Sequence, residues 1–190
     1  MLPAAIRDYG QSVKADYISP RYAAKAAAVA RRPNLLPLQR RILVAEDEPN
    51  IRRFNFEVLI RSGYRVDAAE DGAIAWQTLN EIRNTGGYDL LITDNDMPKV
   101  SGIELLQKVH AAHLALPVIM TTGTPPWETF IQFPWLQPAV MLLKPYTRAE
   151  FLEAVTKVLC PTAAYPVPAA PPSQYREPKE NHEPSSFKFD

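Results

Sequence analysis

Between residues 41 and 159, short apolar runs alternate with stretches whose apolar residues recur every three to four positions. RILVA at 41–45, RVDAA at 65–69, YDLLIT at 88–93, PVIMT at 117–121 and AVMLL at 139–143 read as five strands. Helix 49–62 places Ile51, Phe54, Val58 and Leu59 on one face, with Pro49 near the first turn and Gly63 as the stop. Helix 72–84 turns Ala75, Trp76, Leu79 and Ile82 inward, and helix 102–113 turns in Ile103, Leu106 and Val109. Helix 147–159 closes the unit with Phe151, Leu152, Val155 and Leu159. Strands apolar on both faces and separated by helices specify an α/β fold, a parallel sheet covered on both sides. Right-handed crossovers make it doubly wound.

One connection breaks the rhythm. In TGTPPWETFIQFPWLQPAV, Pro125, Pro126, Pro134 and Pro138 leave room for about one to two helical turns near Trp127–Gln132. A short or irregular fourth helix is expected. Its aromatics, Trp127, Phe130, Phe133 and Trp135, either fill the core space a longer helix would occupy or form a patch for a partner.

In a doubly wound sheet the functional crevice lies outside the carboxyl ends of the strands. Glu46, Asp47 and Glu48 follow the first strand, and Asp94, Asn95 and Asp96 follow the third. The fourth ends in Thr121, Thr122 and Gly123, and the fifth in Lys144 and Pro145. Glu70 and Asp71, after the second strand and ahead of Gly72, suit a helix cap better than a ligand. Crowded carboxylates repel one another, and one protonates unless a cation intervenes. Magnesium answers that problem with one or two carboxylates, waters and phosphate oxygens. A carboxylate such as Asp94 can then act as a nucleophile and form an aspartyl phosphate. Lys144 supplies further positive charge, and Thr122 offers a hydroxyl to a phosphoryl oxygen. Each of these residues alone is more ordinarily a surface or loop residue; their joint placement at the strand ends carries the reading.

Composition narrows the class. The 190 residues are 46% hydrophobic and 22% charged with a formal net charge of zero, so no overall field draws the chain to nucleic acid or anionic lipid. The single cysteine, Cys160, excludes an internal disulfide and a thiolate metal site. No apolar run approaches the roughly 18 residues of a membrane span, and no signal peptide is evident, so a cytoplasmic location is expected. Residues 1–40 form a basic extension with an alanine-rich, helix-prone stretch at 22–30. Residues 160–190 are proline-rich and polar, and are expected to be disordered with polyproline character.

The segments ILVAEDEPNIR, YRVDAAEDGAIAW, YDLLITDNDMPKVSGIELL, LPVIMTTG and LLKPYTRAEFLEAV resemble the receiver domain of two-component response regulators over residues 41–159. The resemblance implies a flavodoxin-like strand order 2-1-3-4-5 and a stand-alone phosphorelay module similar to the chemotaxis response regulators. It implies that Asp94 is the phosphoacceptor, served by a sensor histidine kinase or a histidine phosphotransfer protein. Asp47 resembles the direct Mg2+ ligand, Glu46 the neighbouring acid acting through water, and Asp96 the residue whose backbone carbonyl completes the metal shell. Thr122 resembles the switch hydroxyl and Lys144 the phosphate-pairing lysine, with a Lys144–Pro145 bond that is usually cis in the family. Met97, Pro98 and Gly102 fit the loop that shapes the site.

The chain departs from the family pattern at three places. Glu46 replaces the more usual aspartate, Met141 stands where an aromatic rotamer switch is usual, and the fourth helix is interrupted. Such a protein is a phosphoacceptor rather than an enzyme, and signals through an unknown protein target. The alternative is a non-phosphorylated pseudo-receiver that keeps only the fold. A phosphatase built on Asp94-Asn95-Asp96 is disfavoured for want of a cap or further acidic loops, and DNA binding for want of a helix-turn-helix.

Overall fold

The structure, a computed structural model, describes residues 40–82 and 87–160. The expected extension 1–39 with its alanine-rich helix, the end of the helix expected at 72–84, and the proline-rich segment from 161 onward lie outside the described residues.

Five parallel strands form one sheet in the order β2-β1-β3-β4-β5. They are β1 Arg41–Ala45, β2 Arg65–Ala69, β3 Leu90–Asp94, β4 Val118–Thr122 and β5 Val140–Leu143. The helices are α1 Pro49–Arg61, α2 Gly72–Glu81, α3 Gly102–Ala111, α4 Trp127–Gln132 and α5 Arg148–Leu159. The expected doubly wound, flavodoxin-like arrangement is the one found.

Alternation along the strands divides the core in two, because successive side chains point to opposite faces. Ile42, Val44, Leu90, Ile92 and Ile119 pack against Val58 and Leu59 of α1 and Phe151, Val155 and Leu159 of α5. Leu43, Ala45, Leu91, Val118 and Met120 face Ala75 and Leu79 of α2 and Leu105, Leu106 and Val109 of α3. Each fully buried Leu or Ile contributes roughly 1.5–3 kcal/mol, so the central strands bind both layers firmly. The starts of α2, α3 and α5 are fixed by side chains. Asp71 caps α2 by accepting from the Ile74 amide, and Ser101 with Glu104 and Thr147 with Glu150 form capping boxes on α3 and α5.

Several expectations need correction. β2 is an edge strand with an exposed and half-buried pattern, not apolar on both faces. Phe54, expected inward, is 38% exposed, while Asn55 beside it is buried. Leu105, not singled out on α3, is fully buried, whereas Ile103 is only partly so. The fourth helix is short as expected: six residues, followed by a 3-10 turn at Pro134–Leu136. Among its aromatics Phe130 is buried at 2% exposure, but Phe133 and Trp135 stand at 36% and 40%. Phe130 thus fills core space, as the first reading has it, while Phe133 and Trp135 stay at the surface.

Candidate functional site

Past the last residues of β1, β3 and β5, the backbone ladder continues by one more hydrogen bond. Glu46 donates its amide to Ala69 O (3.1 Å), Asn95 to Thr121 O (3.0 Å) and Lys144 to Thr122 O (2.9 Å). The sheet itself thus sets the start of each loop that bears the chemistry. The Lys144–Pro145 peptide is cis.

Lys144 holds the site together. Its Nζ lies 2.9 Å from Asp94 Oδ2 and 3.0 Å from each carboxylate oxygen of Glu46, donating a hydrogen bond to Oε1. Glu46 and Asp94 are buried, at 1% and 4% exposure, while Asp47 is exposed. Burial pushes the Glu46 carboxyl up to about 7; the Lys144 hydrogen bond opposes this and the Asp94 charge adds to it. Burial lowers the proton affinity of Lys144, but hydrogen bonds and charge from Asp94 and Glu46 outweigh it, and the net shift is upward.

Glu46, Asp47 and Asp94 each offer an oxygen, all within 4.8 Å of one another. Two buried oxygens there accept no hydrogen bond: Glu46 Oε2, which has the Lys144 ammonium at 3.0 Å, and Asp94 Oδ1, which has no such partner. Leaving such atoms unsatisfied costs roughly 1–3 kcal/mol each or more when charged, and a hard cation with oxygen preference would satisfy them. The residues fit a divalent ion.

The other expected site residues divide. Asp96 is exposed, its carboxylate stands outside that group, and its Oδ1 accepts from Asn95 Nδ2 at 3.2 Å. The expectation for Asp96 concerned its backbone carbonyl, which this side-chain placement leaves open. Thr122 is fully buried, and its Oγ1 donates to Thr124 O (2.9 Å) and accepts from Thr124 N (3.1 Å). Its hydroxyl thus closes its own loop. Met141 is half-buried and packs into the layer of α2 and α3.

Three supports were missed from sequence. Arg52 Nη1 clasps the acidic loop, donating to Glu46 O at 2.7 Å and Asp47 O at 2.9 Å. The buried Asn55 amide meets the Tyr146 hydroxyl, Nδ2 at 2.9 Å and Oδ1 at 3.1 Å. Lys99 reaches Asp71 across the top of α2. Helical spacing flags apolar faces and is blind to such polar pairs, whose members sit 28 and 91 residues apart.

Gly102 answers to a close approach. A Cβ there would overlap Asp94 O and come within 2.8 Å of Asn95 Cα, while its own amide donates to Asn95 O at 3.0 Å.

Comparison with known proteins agrees with this geometry. The receiver protein CpdR of Brucella abortus is 31% identical over 120 residues, covering 63% of this chain and 97% of CpdR. Sensor protein EvgS of Escherichia coli O157:H7 is 40% identical over 95 residues, and the regA phosphodiesterase of Dictyostelium discoideum 38% over 90. The matched stretches are 50% and 46% of this chain but only 8% of EvgS and 11% of regA. Among solved structures, the chemotaxis protein CheY4 of Vibrio cholerae superposes with a TM-score of 0.57 at 25% identity, covering 63% of this chain and 98% of that one. A receiver domain from Clostridium thermocellum gives 0.56 at 27%, covering 63% and 94%. The profile of the family described as the response regulator receiver domain matches residues 42–156. With five strands in this order and acids and lysine at their carboxyl ends, the chain belongs to the response regulator receiver domain family.

Proposed function

We propose that this chain accepts a phosphoryl group on Asp94 from a phosphohistidine of a sensor histidine kinase or a histidine phosphotransfer protein. The observation that carries this reading is the Lys144 ammonium seated between the buried Asp94 and Glu46, with Asp47 beside them. In the transfer, the donor's P–N bond breaks and a P–O bond forms to an Asp94 carboxylate oxygen. The imidazole leaves with the electron pair and takes up a proton. Lys144, already 2.9 Å from Asp94, balances charge that gathers on the phosphoryl oxygens.

Mg2+ would be held by Asp47 and Asp94, with Glu46 close by and the backbone carbonyl of Asp96 as a further ligand. Bound there, the ion neutralises charge on the phosphoryl oxygens. For Thr122 to reach the phosphoryl group, its hydroxyl must leave Thr124, so that two-bond loop is where phosphorylation would be felt first.

The chain then signals by protein contact with a downstream target. The receiver unit 41–159 is flanked by the segments 1–40 and 160–190, and the setting is cytoplasmic. Among the described residues no helix is long and apolar enough to cross a membrane.

A pseudo-receiver is the second reading, favoured by Met141 at the switch position and by the inward-tied Thr122 hydroxyl. Incubation of the full chain with acetyl phosphate and Mg2+, read by intact mass, separates the two. A single phosphoryl adduct that disappears in Asp94→Asn supports the proposal. No adduct, or one that survives Asp94→Asn, overturns it.

A further inference from the structure

The aromatic segment formed by α4 and the turn after it has no part in the acidic site. Three of the large apolar side chains exposed among the described residues fall within five positions there: Ile131 at 51%, Phe133 at 36% and Trp135 at 40%. Trp135 lies against His110 of α3, ring centroids 4.5 Å apart, and Phe133 stands edge-on to it at 6.1 Å. Beneath them Phe130 and Leu136, each 2% exposed, root the segment in the core. Backbone bonds from Phe133 to Thr129 O (2.8 Å) and from Leu136 to Phe133 O (2.9 Å) fix its course. The result is a ledge of aromatic faces on an anchored backbone. Rigid aromatic ledges of this kind are what polyproline segments recognise, since proline rings stack on them and a pre-extended chain loses little entropy on docking.

The sequence supplies such a ligand. Residues 165–172 read YPVPAAPP, beginning five positions after Cys160. We propose that this segment docks on the ledge formed by Phe133, Trp135 and His110 of the same molecule. α3 and α5 both run back from the carboxyl ends of their preceding strands. His110 and Cys160, near their ends, therefore lie at the same edge of the sheet, opposite Asp94, on different faces. Two interstrand steps from β3 to β5 span about 10 Å, and passing from one helix layer to the other adds about 20 Å at roughly 10 Å per layer. Eight to twelve residues of polyproline helix cover roughly 25–37 Å, which brings Pro168 to Pro172 to the ledge. The docking does not depend on phosphorylation of Asp94.

The test uses the full chain labelled with 15N. The indole N–H signal of Trp135 is identified by its loss in Trp135→Phe. Replacing Pro166, Pro168, Pro171 and Pro172 together by Ala is expected to move that signal and leave Trp76 in place. A nitroxide on Ser173→Cys in a Cys160→Ser background is expected to broaden Trp135 more than Trp76, unchanged on tenfold dilution and lost in the proline variant. Coincident indole signals with no selective broadening overturn the proposal. Broadening that fades with dilution also overturns it, in favour of the segment of a second copy.

Discussion

Lys99 Nζ lies 2.6 Å from Asp71 Oδ2, tying the loop after β3 to the cap of α2. Lys99 does so from a left-handed backbone, φ 66°, which non-glycine residues adopt at a cost. Asp71 is doubly used, since its Oδ1 accepts from the Ile74 amide at 2.8 Å.

The Lys99 hydrogen bond, then that of Ile74, hold the Asp71 carboxyl below the usual aspartate range. A carboxyl depressed in the folded state binds fewer protons there than when unfolded. Its contribution is therefore complete above the unfolded value, about 3.9, and is lost as pH falls through the lower folded value. Asp71→Ala is expected to lower stability by about 1 kcal/mol at neutral pH through the lost cap. The difference from wild type should shrink below about pH 4. Urea unfolding at a series of pH values checks both; a difference that grows on acidification contradicts the assignment.

Lys144→Ala leaves Glu46 and Asp94 facing each other without their cation. Breaking one side of a buried pair costs about 3–5 kcal/mol; Lys144 is 19% exposed, which favours the lower figure. Mg2+ should recover part of that loss. Its stabilisation, about 2.7 kcal/mol at a hundredfold excess over the dissociation constant, is expected to be larger in the variant than in wild type and abolished by chelation. Chemical denaturation with Mg2+ and with EDTA provides the comparison.

Tyr146→Phe deprives the buried Asn55 amide of the hydroxyl that it faces. The expected loss is about 1–3 kcal/mol. The double variant Asn55→Leu with Tyr146→Phe should recover much of it, because an apolar pair removes the unsatisfied group. Thermal unfolding of the three variants decides.

Gly102→Ala forces a methyl group into the space of the Asp94 carbonyl. Overpacking of this kind costs about 1–3 kcal/mol, and here it displaces the peptide of Asp94, the proposed phosphoacceptor. Both stability and the rate of Asp94 phosphorylation by acetyl phosphate should fall. Gly123→Ala, where a Cβ meets nothing within 4 Å, serves as the control.

The sequence pattern located β1 and β2 to the residue, and the flanking prolines confined α4 to the neighbourhood of Trp127–Gln132, where it lies. β3 begins at Leu90 rather than at Tyr88, since Tyr88 and Asp89 turn to polar work. The Tyr88 hydroxyl donates to Asp67 at 2.9 Å, and Asp89 accepts the Arg41 amide at 2.9 Å. The acids and lysine at the strand ends were visible because a parallel sheet brings the ends of β1, β3 and β5 to one edge. What they do to one another was not, since Lys144 and Glu46 are 98 residues apart and their distance is a property of the fold. Phe54 was misplaced for the complementary reason. Helical spacing fixed its face, but Asn55 took the interior by finding Tyr146, and Phe54 was left beside Asn50, Ile51 and Tyr146 along an open cleft of about 430 Å³.

The tight seat of Gly102 under the Asp94 peptide has a mechanical consequence. α3 starts against the peptide of Asp94 and ends at the ring of His110, where Trp135 rests. Ten residues of helix make a strut about 15 Å long, and no hinge interrupts it. The helix therefore fixes how far the Trp135 ring stands from the Asp94 peptide, and any substitution that shifts the seat of Gly102 shifts both ends of that spacing.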